Sequence, residues 1–248
     1  MAVIGAARRT TTGRIMSWLV VLGAFGLGIV VSSSGLLEDF ILYWPDIEFL
    51  FQQHVRLVAI SGGLAIVAGV TLGILLSRPF MARFAEYFMQ IFNVGTTIPT
   101  LAILALSMSF LGIGTLPAIF GLFIASLLPI VRNTYAGLKA VPDHLKEAAS
   151  GMGMAPGTML LKVELPNALY VIFAGIRTAL TINVGTVPLA FLIGGGGLGE
   201  LIFTGIALNE FGMMLAGAIP TALLAIVVDF VMAQIQYWVI PRGVNPQR

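Results

Sequence analysis

Cysteine is absent from this 248-residue chain, and with it disulfide frameworks and thiolate metal sites. Histidine is scarce: His54 and His144 are the whole complement, too few for a multi-histidine metal centre. Charge is scarce too, at 10% of residues where a soluble domain carries about 25%. With 58% hydrophobic residues and a mean hydropathy of +1.00, the shortfall implies a solvent that does not reward charge, namely lipid. A net charge of +2 is too small to point to a nucleic-acid partner. No G-x-x-x-x-G-K-[ST] occurs, so the chain does not bind ATP through a P-loop.

What is present is a series of apolar runs. A transmembrane helix needs about 20 mostly apolar residues, and the runs at 17–37, 55–76, 84–111, 116–131, 169–193 and 211–237 are the candidates. The expected fold is therefore all-α, a polytopic membrane protein of about six transmembrane helices. The third run is long enough to tilt or bend, and Pro99 inside it gives a reason to bend. The fourth is short, with Pro117 at its start and Pro129 near its end.

The segments between these runs separate by sign. Arg8, Arg9 and Arg14 precede the first, whereas Glu38, Asp39, Asp46 and Glu48 follow it. Arg78 and Arg83 lie between the second and third; Arg132, Lys139, Lys146 and Lys162 lie between the fourth and fifth. Glu200 and Glu210 join the fifth to the sixth, and the tail carries Arg242 and Arg248. Lys and Arg bias connections to the cytoplasm, so both termini are expected inside. Trp18, Trp44 and Trp238 fall near span ends, where interface anchoring places them. The first run has a competing reading: arginines, a short apolar core and the serines Ser32 to Ser34 also fit a cleaved signal peptide. Its continuation into Leu36 and Leu37 favours a retained helix.

Several short patterns carry more than one reading. In GGGGLGE, Gly194, Gly196 and Gly199 fit G-x-G-x-x-G, which means dinucleotide binding only between a strand and a helix. Here it closes an apolar span, so a glycine turn allowing close backbone approach is expected instead. Gly69 and Gly73 form a small-xxx-small pair for helix packing. Asn93, Thr96, Thr97 and Thr100 are expected to share a face of the third span, and Thr178, Thr181 and Gly185 a face of the fifth. Interhelical hydrogen bonding explains both sets, as does a hydrated translocation path. Arg177 and Asp229 lie deepest inside predicted spans, each eight residues from a cytoplasmic end, or about 12 Å. Equal depth and opposite sign fit an ion pair within or across subunits; independent snorkelling is the alternative.

One cytoplasmic segment is too polar and too short to span. In AVPDHLKEAASGMG, Pro142 suits the first helical position, Asp143 the positive end of the helix dipole, and Leu145, Ala148, Ala149 and Met152 form one small apolar face. Gly151 and Gly153 break that helix, and Pro156 opens another, PGTMLLKVEL, before Pro166 stops it or starts the fifth span. Two short helices joined by a glycine bend suit docking into a protein groove; an interfacial helix or a plain connector are the other readings.

The segment resembles the signature loop of ABC importer permeases, E-A-A-x-x-x-G and then, after nine further residues, I-x-L-P. Glu147, Ala148, Ala149 and Gly153 match it, and Val163, Leu165 and Pro166 complete it with Val in place of Ile. The resemblance extends from about Val55 to Tyr237. It implies a type I importer permease fold in which this loop is a coupling helix seated on a cytoplasmic ABC ATPase dimer. It also implies a second permease subunit, identical or sister, and a periplasmic solute-binding protein. The stretches HVRLVAISGGLAIVAGVTLGILLSR, FAGIRTALTINVGT and LIGGGGLG are similar to the branch importing glycine betaine, choline and carnitine. Methionine and sulfonate permeases share much of that texture. The expected organisation is an N-terminal segment and first span at 1–54, a permease domain at 55–237 and a tail at 238–248, in the bacterial inner membrane. No cofactor and no enzymatic role are expected, since no nucleophile–base or metal-ligand set is visible. A secondary transporter or channel working without ATPase partners is the competitor from another class, but the chain lacks the inverted repeats usual in secondary transporters.

Overall fold

The structure, a computed structural model, describes residues 35–244. Most of the expected first span, the cleavage alternative, Trp18, Arg8, Arg9, Arg14 and Arg248 lie outside the described residues. Among the described residues the chain is helical throughout and has no strand.

Helix α1 (Leu36–Leu42) leads into α2 (Trp44–Ser77), which begins well before the expected second span. Pro45 at its N-terminus pre-sets the helical φ, so the helix nucleates on the aromatic stretch rather than where hydropathy rises. Then come α3 (Ala82–Gly95), α4 (Thr100–Leu111) and α5 (Thr115–Lys139). Next, α6 (Asp143–Gly151) is followed by α7 (Pro156–Ile193), α8 (Gly199–Leu208) and α9 (Phe211–Val239). Four of these, α2, α5, α7 and α9, are long and apolar enough to cross a membrane. The bent α3–α4 pair supplies a fifth if it is one span.

Three further boundaries depart from the sequence expectation, each at a proline. The third run is not one helix: α3 and α4 meet at 102° across Thr96 to Pro99. Pro99 drives the residue before it out of the helical region. The Thr96 hydroxyl donates to the Asn93 carbonyl at 2.7 Å, an acceptor the broken helix leaves open, and the Thr97 hydroxyl donates at 2.7 Å to the Val94 carbonyl, which also accepts the Thr97 N–H. The expected common face for Asn93, Thr96, Thr97 and Thr100 is therefore lost. The fourth run is longer than expected, because α5 passes through Pro129 to Lys139. Arg132 and Lys139 thus sit on its last turns, not in a connection. Asn133 Nδ2 donates to the Pro129 carbonyl at 2.8 Å, and packing on both sides outweighs the one ladder bond the proline omits.

The third departure lies where Pro166 was expected to stop one helix or start another. Instead α7 runs unbroken for 38 residues from Pro156. A widened π turn at Leu160–Glu164, with the Leu165 N–H donating to the Leu160 carbonyl, precedes Pro166 and admits its ring. Beyond it, the connection carrying Glu200 and Glu210 holds a short helix, α8, ended by Asn209 in the left-handed region.

The centre of the bundle is α2 against α5 and α5 against α7. Gly69 and Gly73 are what let α2 approach: a Cβ at Gly69 would lie 2.7 Å from Ile130 Cγ2, and one at Gly73 would lie 2.5 Å from Thr134 Cβ. One apolar cluster (Leu104, Leu122, Val184, Val187) fills the half toward the glycine run, and another (Ala65, Ile130, Ala168, Ile172) fills the half toward α6.

Between the two clusters lies a polar node. Asn183 Nδ2 donates to Ser61 Oγ at 3.0 Å and to Ser126 Oγ at 2.6 Å, all three side chains buried. It ties α7 to α2 and α5 at once. Asn183→Ala strands the buried Ser126 hydroxyl, while Ser61 keeps its bond to the Leu57 carbonyl at 2.7 Å, and should cost about 1–2 kcal/mol. We expect the detergent-solubilised variant to melt a few degrees lower. An unchanged midpoint would show the node to be dispensable.

Candidate functional site

The segment from Asp143 to Pro166 is built from the two cytoplasm-assigned pieces in a different manner than local pattern alone implies. Pro142 is extended, at ψ 136°, and stands just ahead of α6 rather than as its first residue. Lys146 pairs with Asp143 at 3.0 Å one turn along. The expected small apolar face divides in two: Ala149 is buried and Leu145 packs against the α6-side cluster, whereas Ala148 and Met152 are exposed. The four share one stripe of about 100°, but the bundle covers only its Leu145 and Ala149 side. Glu147, Ala148 and Met152 therefore form an outward ridge, held from beneath by Leu145 and Ala149.

The bend after α6 depends on one glycine. Gly153 has φ +77°, and its N–H donates to the Ser150 carbonyl at 2.9 Å while the Met154 N–H reaches the Ala149 carbonyl at 3.1 Å. Pro156 then starts α7 after an extended Ala155. Val163, Leu165 and Pro166 are half-buried, at the junction of this segment with the long part of α7. The signature residues thus divide into an exposed set (Glu147, Ala148, Gly153) and a seated set (Ala149, Val163, Leu165, Pro166).

Sequence reasoning missed a charged contact at the same junction. Glu164, between Val163 and Leu165, is 6% exposed and accepts a hydrogen bond from Arg78 Nη2 at the end of α2. A glutamate beside half-apolar signature positions was the available signal; its partner is 86 residues away and not legible from spacing.

Inside the spans, Arg177 of α7 and Asp229 of α9 make a two-point contact, Nε to Oδ1 and Nη2 to Oδ2, both 2.5 Å. The fork geometry fixes orientation as well as charge. Their side chains are 36% and 39% exposed in the single chain, whereas charges inside spans almost always face a bundle interior or a water-filled cavity. The pair borders a cavity of about 380 Å³ that Thr178, Thr181, Tyr170 and Gln236 also line. Asn93, Thr96, Thr97 and Thr100 do not line it; the first three are exposed at the α3–α4 bend.

At the far end of α7, the run Gly194 to Gly197 is a turn, with φ positive at Gly194, Gly196 and Gly197. Gln53 of α2 accepts from the Gly197 N–H at 3.1 Å, and a Cβ on Gly196 would collide with the same amide. The turn borders a second cavity of about 560 Å³ with Gln53, Arg56 and Glu200 in its wall. Nearby, His54 is fully buried with Nε2 against the Val184 carbonyl at 3.1 Å. Among the described residues no cluster of three or more His, Asp or Glu could hold a metal ion.

Comparison with known proteins agrees with this architecture. The family described as binding-protein-dependent transport system inner membrane component matches residues 69–242. The osmoprotectant import permease protein OsmY of Salmonella typhimurium is 57% identical, covering 76% of this chain and 80% of that protein. The choline transport system permease protein OpuBB of Bacillus subtilis is 42% identical, covering 80% of this chain and 91% of that protein. A solved chain of the inward-facing MetNI methionine ABC transporter has a TM-score of 0.67 at 24% identity, covering 81% of this chain and 98% of that one.

Proposed function

Because this chain belongs to the family of binding-protein-dependent transport system inner membrane components, we propose that it is the permease subunit through which betaine- or choline-like solutes enter the cell. The chain is a multi-pass membrane protein with an ABC transporter permease fold. The solute class rests on one observation, the 57% identity to an osmoprotectant import permease over three quarters of the chain.

In this reading residues 55–237 are the permease domain and both termini are cytoplasmic, as the placement of Lys and Arg favours. The outward ridge of Glu147, Ala148 and Met152 docks into a groove on a separate ATPase subunit, and the seated residues Ala149, Val163, Leu165 and Pro166 pass its movement inward. Continuity of α7 supports this, because a push on Pro156 travels along one helix to the glycine turn at Gly194. ATP is consumed by the partner, so the permease itself carries out no chemical step.

A second permease copy or sister chain covers the face of Arg177, Thr178, Thr181 and Asp229, because charges inside spans seldom face lipid. The cavity there is the inner part of the solute path. An external binding protein delivers solute at the other end, above the Gly194–Gly197 turn.

Reconstitution into proteoliposomes with the ATPase and binding protein from the same system tests the reading. Radiolabelled glycine betaine or choline is expected to accumulate only when ATP and both partners are present, with methionine excluded. Accumulation without the ATPase would make the chain a secondary transporter. Accumulation of methionine instead of betaine and choline would move it to the amino-acid branch.

A further inference from the structure

Three parts of the bundle contact the ATPase-facing segment in different ways. Helix α7 is continuous with it, and α5 is joined to it through three residues, Ala140 to Pro142. Helix α2 has no such chain connection, yet it is the element packed most heavily on α5. It ends beside the segment at Arg78. There the guanidinium is held at three points: Nε and Nη2 donate to Ser77 Oγ at 3.1 and 2.9 Å, Nε reaches the Ile74 carbonyl at 3.3 Å, and Nη2 donates to Glu164.

Both members of the pair are withdrawn from solvent, with side-chain exposures of 17% for Arg78 and 7% for Glu164. A buried ion pair adds little net stability over an apolar contact of the same size, but separating it is costly because each charge is then stranded. Such a contact holds or breaks; it does not stretch. Glu164 also occupies the last position of the π turn, the widened turn of α7. The side chains of Ile74, Leu160 and Leu165 make apolar contact with one shared cluster, which permits sliding.

We infer that Arg78 and Glu164 are positioning residues that clamp the end of α2 to the ATPase-facing segment, so that α2 moves with that segment during each ATP cycle. The clamp is a second mechanical route beside the continuous α7. Without it, α7 would still be driven while α2 lagged, opening the path incompletely for each ATP hydrolysed. The inference rests on the coupling reading above and adds the identity of the residues that engage α2.

Its signature is a change in coupling, not in catalysis or folding. In proteoliposomes with the ATPase and binding protein, glycine betaine uptake and ATP hydrolysis are measured in the same sample. For Glu164→Gln and Arg78→Gln the ratio of solute imported to ATP hydrolysed is expected to fall at least tenfold, with hydrolysis within twofold of wild type. Arg78→Lys, which keeps the charge, should retain at least half the ratio. Because the chain contains no cysteine, Arg78→Cys/Glu164→Cys allows a reversible bridge by a short bis-methanethiosulfonate linker. The bridged protein should regain the wild-type ratio and lose it again when reductant cleaves the linker, on one and the same folded sample. Equal ratios before and after cleavage, or unchanged ratios in both single variants, would overturn the clamp. Absence of ATP-driven uptake in the wild-type sample would instead defeat the importer reading itself.

Discussion

Gly153→Pro is expected to abolish ATP-driven uptake while the protein still inserts and folds in the membrane. The native residue has φ +77°, and its N–H is bonded to the Ser150 carbonyl. Proline fixes φ near −65° and has no N–H, so the bend between α6 and α7 cannot form. A misfit of about 3 kcal/mol or more corresponds to a loss of roughly 100-fold in the population of the docking geometry. The bundle core should survive, because Leu145 and Ala149 seat α6 independently of the bend.

Gly153→Ala separates strain from space. A Cβ at this position meets nothing within 4 Å, so only the left-handed backbone is penalised. That penalty is about 1–2 kcal/mol, and uptake should fall by roughly 5- to 30-fold, less than for proline. Uptake by Gly153→Pro within twofold of wild type would show that the bend plays no part in coupling. The assay is solute accumulation per inserted protein, with insertion followed by protease accessibility.

The second large effect is expected at the intramembrane pair. Arg177→Gln leaves the Asp229 carboxylate alone on a short side chain that cannot reach the interface. Asp229→Asn leaves an arginine, whose long stem can snorkel. An unpaired charge near the middle of a span costs about 2.5–3.5 kcal/mol even where the surroundings relax, and less where a long stem reaches the interface. Uptake should therefore fall by roughly 100-fold in Arg177→Gln and by only about tenfold in Asp229→Asn. The exchange Arg177→Asp/Asp229→Arg restores a pair between the same helices and should recover uptake to within about threefold of wild type. Failure of the exchange to recover, measured in the same proteoliposome assay, would show that the individual charges matter rather than their pairing.

Much of the candidate site is legible because its signals are local. Gly153 and Pro156 define the bend after α6 through backbone chemistry that neighbours cannot alter, whereas Gly151, also read as a breaker, stays within the helix. Arg177 and Asp229 stood out because charge in an apolar run is rare. The ridge on α6 was only half legible: helical spacing places Leu145, Ala148, Ala149 and Met152 near one another, but which of them is covered depends on where the bundle lies. Arg78 and Glu164 were each visible as charges and invisible as a pair.

The sequence by itself determined the all-α membrane class, the approximate location of the spans and the family signature at 147–166. These follow from composition and short-range spacing, which are the same whatever the chain packs against. Only the tertiary structure decided that α5 runs through Pro129, that α7 runs through Pro166, that the third run breaks at 102°, and that Glu164 and Asn183 find partners on other helices. A proline removes one hydrogen bond wherever it occurs. Whether the helix then stops, widens or bends is set by the packing energy on either side, and that energy comes from residues far away in the chain.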